Sequence, residues 1–161
     1  MDSPYTIRGS LRHASRLVAV QLLYQIYQSG AEISDVLNQF ERWYAESLEE
    51  KGGEPQSVPV APKASYKKVD SDFLRRLVEE TQEKKNLLKE VVSPHLKETW
   101  TWERLPSILK SILNLALYEL LYEKTPKPVV VNEYIELTKN FFDGDEPAFV
   151  NGLLDSVLLP E

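Results

Sequence analysis

Residues 106–123, PSILKSILNLALYELLYE, are apolar on nearly every side of a helical wheel. Ile108, Leu109, Ile112, Leu113, Leu115, Ala116, Leu117, Leu120 and Leu121 leave no broad polar face. Such a helix is stable only when other helices surround it, so it belongs at the centre of a bundle. Pro106 stands at its start, where its missing amide hydrogen costs nothing. Glu119 falls angularly between Ile108 and Ile112, and a carboxylate there requires a partner or a route to water.

The rest of the chain supplies helices to surround it, and no stretch has the alternation of a strand. Residues 11–29 carry Val20, Leu23, Tyr24 and Tyr27 at helical spacing, with Gly30 as a natural stop. Residues 32–50 place Ile33, Val36, Leu37, Phe40, Trp43 and Tyr44 on one stripe. Residues 51–67 hold Gly52, Gly53, Pro55, Pro59 and Pro62 and read as an exposed flexible connection. A helix over 71–92 follows, capped by Asp70 or Ser71 and ended by Pro94. Its apolar set is Phe73, Leu74, Leu77, Val78, Leu87, Leu88 and Val91. A short helical turn is expected near 100–105, and Thr125-Pro126-Lys127-Pro128 forms a stiff turn.

Residues 132–158 read as two helices around a sharp acidic break, Phe142-Asp143-Gly144-Asp145-Glu146-Pro147. Gly144 can take the left-handed conformation that ends a helix. Asp145 or Glu146 can cap the next one, and Pro147 fits its first turn.

Composition removes several function classes. A chain of 161 residues allows one domain, or two small subdomains sharing a core. It has no cysteine, and only His13 and His95 could supply imidazole, so neither a metal site nor any cofactor is expected. Apolar runs fall short of the roughly 20 residues of a membrane span, and the N-terminus lacks a secretory signal. A cytoplasmic protein is the expectation. There is no Gly-rich phosphate loop, nucleophile elbow or His–carboxylate spacing that suggests catalysis. Asp143, Asp145 and Glu146 lack the twelve-residue pattern of a calcium loop. The net charge of −6 argues against nonspecific binding of polyanions. A nucleic-acid role therefore needs a local basic patch or a partner that supplies charge.

One basic patch is visible. Arg8, Arg12 and Arg16 are spaced by four, a stripe drifting about 40° per step. A Ser10 cap would leave Arg8 outside the helix, which makes Arg12 and Arg16 the secure pair. Arginines in a first turn oppose the helix dipole, so helix stability does not explain them. Two readings stand: phosphate contact, or a solvated helix end paired with acidic neighbours. Tyr24 and Tyr27 likewise either stack on bases or line the core with hydroxyls at the rim. On the last helix, Ala148, Gly152 and Ser156 form a small-residue strip. Gly152 inside a helix costs about 1 kcal/mol against alanine, which close approach of a helix or ligand would offset.

Two blocks, RHASRLVAVQLLYQ (12–25) and ILNLALYELLYEKTPKPVVVNEYIELTKNFFDGDEPAFVNGLLDSV (112–157), resemble the NusB family of bacterial transcription antitermination factors. NEYIEL, FVNGLLD and the ALYEL segment carry the resemblance in combination, and FFDGDEP resembles the alphaproteobacterial branch. The resemblance covers nearly the whole chain. It implies an all-α fold of about six to seven helices in two small bundles packed together, a single domain over 1–161. The subdomains would be 11–93, which includes the flexible 51–67 connection, and 94–158. It implies no catalysis. NusB-like proteins bind boxA, a short single-stranded RNA element of ribosomal RNA leaders, as a heterodimer with NusE, a small-subunit ribosomal protein. The complex joins an RNA polymerase that resists termination, and some members form homodimers.

Carried onto this chain, the RNA contacts fall on Arg12, His13 and Arg16, with Gln21 and Tyr24 following, and at the corner on Phe142, Asp145 and Phe149. His13 and Ala14 stand where the family often has basic residues. The NusE surface is expected at Glu103, Arg104, Lys110 and Asn114. Two alternatives have other consequences. One is a NusB-like module ahead of the cofactor-binding domain of an RNA cytosine methyltransferase, which would need a longer gene than one ending at Glu161. The other is a helical interaction module with no RNA role.

Overall fold

A computed structural model describes residues 7–49, 69–96, 100–157 and 159. These residues form seven α-helices and no strand: α1 (Ile7–Ser29), α2 (Ile33–Glu49), α3 (Ser71–Glu83), α4 (Lys85–Val92), α5 (Ser107–Tyr118), α6 (Lys127–Thr138) and α7 (Glu146–Ser156). The connection expected over 51–67 lies outside the described residues. The chain divides into two compact units, residues 1–75 and 76–161.

In the first unit α1 packs on α2. α1 begins at Ile7, so Arg8 is helical and Ser10 is not the cap. It stops at Gly30, whose φ of +69° only glycine adopts cheaply and whose amide donates to the Ile26 carbonyl at 2.9 Å. Val36, Leu37, Phe40 and Trp43 of α2 are buried as their stripe predicts, while Ile33 and Tyr44 sit half-buried at its edges. The Tyr44 hydroxyl accepts the Val69 amide at 3.0 Å, which fixes the chain entering α3. Asp70 caps α3 through Oδ1, which accepts the Phe73 amide at 3.1 Å. The Asp70 amide in turn donates to Ser15 Oγ of α1 at 2.8 Å.

The single helix expected over 71–92 is two. Lys84, at φ −94° and ψ 9°, leaves the helical region and separates α3 from α4. Leu88 and Val92 are the buried positions of α4, and Leu87 is 54% exposed instead of joining the core. Adjacent helical residues diverge by about 100°, so on a helix buried along one side Leu88 faces the core and Leu87 does not. Pro94 does not stop the chain abruptly; it sits in a 3₁₀ turn, Ser93–His95.

The second unit is built around α5, which packs against α4, α6 and α7. Leu109, Ile112, Leu113, Leu115, Ala116 and Leu117 are fully buried, as an all-round apolar helix requires. After Tyr118 the helix widens into a π turn, Glu119–Glu123, closed by left-handed Lys124 at φ 56°. Glu119 is fully buried and partnered. Its Oε2 accepts the Tyr134 hydroxyl at 2.5 Å and its Oε1 the Thr125 hydroxyl at 3.0 Å. The far end of α7 is capped by Lys127, whose Nζ donates to the carbonyls of Asp155 (2.9 Å) and Val157 (3.0 Å).

Candidate nucleic-acid interface

The first candidate region is the start of α1. Arg12 lies over the Phe73 ring, 4.3 Å from its centroid, and Arg16 lies 5.3 Å from the same ring. Both guanidinium groups therefore meet the same aromatic ring. Arg12 Nε is also 3.8 Å from Asp70 Oδ2, with both side chains about a quarter exposed. Arg16 and Gln21 are buried; His13 and Tyr24 are half-buried. Tyr27, one turn further on, is 51% exposed. The arginine stripe thus has an outer member, Arg12, and an inner one, Arg16. Phe73 and Asp70, which set this arrangement, read from the sequence only as core and cap.

The second region is the corner between α6 and α7. α6 ends by tightening: the Asn140 amide donates to Leu137, and the amides of Phe141 and Phe142 both donate to Thr138, all at 3.0 Å. These short bonds satisfy the last carbonyls without a left-handed residue. Gly144 accordingly does not adopt the positive φ expected of it; among the described glycines only Gly30 does. Its role is spatial. A Cβ on Gly144 would lie 2.9 Å from Glu146 Oε1, because the Glu146 side chain folds back over the glycine. Asp145 occupies the N-cap position in a helical conformation (φ −85°, ψ −1°) without a side-chain cap bond, and Pro147 lies in the first turn. Glu146 Oε1 is shielded from solvent and accepts no hydrogen bond among the described residues. An unsatisfied buried acceptor costs about 1–3 kcal/mol.

Beside this carboxylate is a cavity of about 430 Å³ lined by Trp100, Asp145, Glu146, Ala148 and Phe149. The Trp100 and Phe149 rings are stacked, with centroids 5.2 Å apart and planes at 23°. Phe149 is half-buried, while Trp100 is 44% exposed. Trp100 is the residue that sequence reasoning missed. Its signal was an indole in the polar stretch Glu98-Thr99-Trp100-Thr101, where no core periodicity holds it.

Gly152 does not mark a close approach among the described residues: a Cβ there would meet none of them within 4 Å. Ala148, Gly152 and Ser156 are exposed along α7. With no compensating contact among the described residues, Gly152→Ala should stabilise the protein by about 0.5–1 kcal/mol. For a chain of this length that raises Tm by roughly 1–4 °C, measurable by circular dichroism. An unchanged or lowered Tm would show that the glycine is needed for the fold.

The four residues expected to meet a protein partner divide similarly. Glu103 and Arg104 are exposed in a 3₁₀ turn, Trp102–Arg104. Glu103 accepts from Lys89 Nζ at 2.9 Å, which holds its carboxyl below the usual range. Lys110 is buried, its Nζ reaching the Glu103 carbonyl at 3.5 Å and lying 6.0 Å from the Trp102 ring centroid. Asn114 is half-buried, with Oδ1 accepting nothing among the described residues. A separate polar cluster closes the π turn. Arg76 donates to Glu123 through Nε (3.0 Å) and Nη2 (3.2 Å), and the Tyr118 hydroxyl donates to the same carboxylate at 2.6 Å. Burial, then the Glu123 hydrogen bond, pushes the Tyr118 phenol well above its ordinary pKa. No group of three or more His, Cys, Asp or Glu among the described residues could hold a metal ion. No described helix is long and apolar enough to cross a membrane.

Comparison with known proteins agrees with this architecture. The family model described as the NusB family matches residues 13–158. The transcription antitermination protein NusB of Maricaulis maris is 35% identical over 155 residues, 96% of this chain and 89% of that protein. Its namesake from Caulobacter vibrioides is 33% identical over 147 residues, 91% of each chain. Among solved structures, T. maritima NusB superposes with a TM-score of 0.64 at 25% identity, covering 96% of this chain and 90% of that one. A crystal structure of antitermination factors NusB and NusE in complex with dsRNA shares the fold, with a TM-score of 0.62 at 22% identity, covering 89% of this chain and 92% of that one. These relatives are antitermination factors and not enzymes. The family match over residues 13–158, with relatives 33–35% identical over most of the chain, places this chain in the NusB family.

Proposed function

We propose that this protein is an RNA-binding antitermination factor that takes boxA RNA of ribosomal RNA leaders as a heterodimer with NusE, within an antitermination complex of RNA polymerase in the cytoplasm. The observation that carries the reading is the open Trp100–Phe149 stack beside the acidic corner of a NusB family member. Exposed aromatic rings bind unpaired bases by stacking, whatever the sequence. A fold neighbour crystallised with NusE and double-stranded RNA supports the same class of partners.

The roles follow from burial. Arg12, His13 and Tyr24 are open enough to meet RNA, while Arg16 and Gln21 lie behind them. Arg12 exchanges its long Asp70 contact for a phosphate, and Arg16 keeps Phe73 in place beneath it. At the corner, Phe149 and Phe142 face bases and Asp145 accepts from a base edge. Glu103 and Arg104 meet NusE, with Lys110 and Asn114 supporting that surface. A chain of charge −6 binds RNA in this way because NusE shares the phosphate work.

Fluorescence anisotropy of boxA RNA, titrated with and without NusE across a salt series, tests this. Arg12→Ala should weaken binding by the complex and lower the salt slope by about 0.7, one phosphate contact on a single strand. A folded Arg12→Ala protein with unchanged affinity and slope would remove Arg12 from the interface. A wild-type complex that ignores boxA RNA would overturn the whole reading.

A further inference from the structure

The corner cavity is built to select one base, and this inference rests on the RNA-binding reading above. Among the described residues its polar lining is Asp145 and Glu146, which offer acceptors and no positive charge. A phosphate is repelled there; what enters must bring donors. Its volume of about 430 Å³ lies within the roughly 300–1,000 Å³ of small-ligand pockets, and stacked rings form one wall. That combination suits an unstacked nucleobase, with its face on the aromatic pair and its edge toward the acids. Glu146 Oε1 is shielded and accepts no hydrogen bond among the described residues.

Base chemistry decides which nucleobase. A carboxylate that binds in bidentate fashion needs two adjacent N–H donors. Guanine alone presents them, N1–H beside the 2-amino group on its Watson–Crick edge. Cytosine and adenine place a ring acceptor next to their amino group, and uracil sets its single N3–H between two carbonyls. We infer that Glu146 is a specificity-determining residue that reads a guanine of the bound RNA, with Trp100 and Phe149 as its stacking platform. Gly144 is the second part of the device: its missing Cβ gives the Glu146 carboxylate its place.

The test uses the full chain with NusE and a single-stranded boxA-like RNA, followed by fluorescence anisotropy. Each guanine is replaced in turn by inosine, which lacks the 2-amino group, and by adenine. With the wild-type protein, inosine at one position should weaken binding about tenfold, in the range of one good bidentate contact. Glu146→Gln should abolish that penalty and shift preference toward adenine there, because an amide offers one donor and one acceptor. Gly144→Ala, which displaces the carboxylate, should also lose the discrimination. If no position responds to inosine, or if both folded variants discriminate as the wild type does, the guanine assignment is overturned while RNA binding stands. If the wild-type complex binds none of these RNAs, the function proposed above falls, and this inference with it.

Discussion

Glu119→Ala should lower the unfolding free energy by about 3 kcal/mol, near the large end for single substitutions. The carboxylate is fully buried and accepts hydroxyl hydrogen bonds from Tyr134 at 2.5 Å and Thr125 at 3.0 Å. Tyr134 is itself fully buried, so its hydroxyl bond to Glu119 is lost where the side chain is shut off from solvent. An unsatisfied buried donor costs about 1–3 kcal/mol, and the cavity left by the missing side chain adds to it. Two backbone features meet here as well. The Glu119 carbonyl accepts the Thr125 amide at 3.2 Å, and the π turn starting at Glu119 ends in left-handed Lys124. Urea denaturation followed by circular dichroism measures the loss. Glu119→Gln, which keeps a carbonyl acceptor, should lose markedly less. Equal losses for alanine and glutamine would mean that charge, not hydrogen-bond acceptance, is what the bundle requires.

Trp100→Ala should weaken RNA binding by roughly tenfold while leaving stability within about 0.5 kcal/mol. Stacking of one base on an aromatic side chain is worth about 1–3 kcal/mol, and an exposed ring contributes little to the fold. Trp100 is 44% exposed and stacks on Phe149. The two readouts must separate: anisotropy moves and the denaturation midpoint does not. Phe149→Ala, at a half-buried position, should affect both. A Trp100→Ala protein that binds RNA as the wild type does would return the indole to a cover over Phe149, and the corner to scaffold.

Much of this architecture is written in local pattern. The all-round apolar run 106–123 demanded a central helix, and α5 is that helix. Gly30 announced the end of α1 because a positive φ has one cheap occupant. Asp70 announced the start of α3 because a short carboxylate before an apolar stripe has a free amide to accept. The family resemblance, carried by the segments around 112–157, rested on the same residues. Local pattern was less informative where several geometries satisfy it. Residues 71–92 have one helical periodicity but two helices, since a break at Lys84 needs neither glycine nor proline. Gly144 could end a helix or make room for a neighbour, and the choice depended on where the Glu146 side chain lay.

The sequence by itself determined the all-helical class, the central helix, its need for a partner at Glu119, and the arginine and corner residues worth examining. Only the tertiary structure decided which of those residues face outward. It set Arg12 outside Arg16 on the Phe73 ring, left Gly152 without a close neighbour among the described residues, and joined Trp100 to Phe149 across 49 positions of chain. The physical reason is one of range. Helix formation and capping depend on neighbours within about four residues, which a sequence displays directly. Stacking, burial and unsatisfied acceptors depend on contacts between residues far apart in the chain, which exist only once the helices have packed.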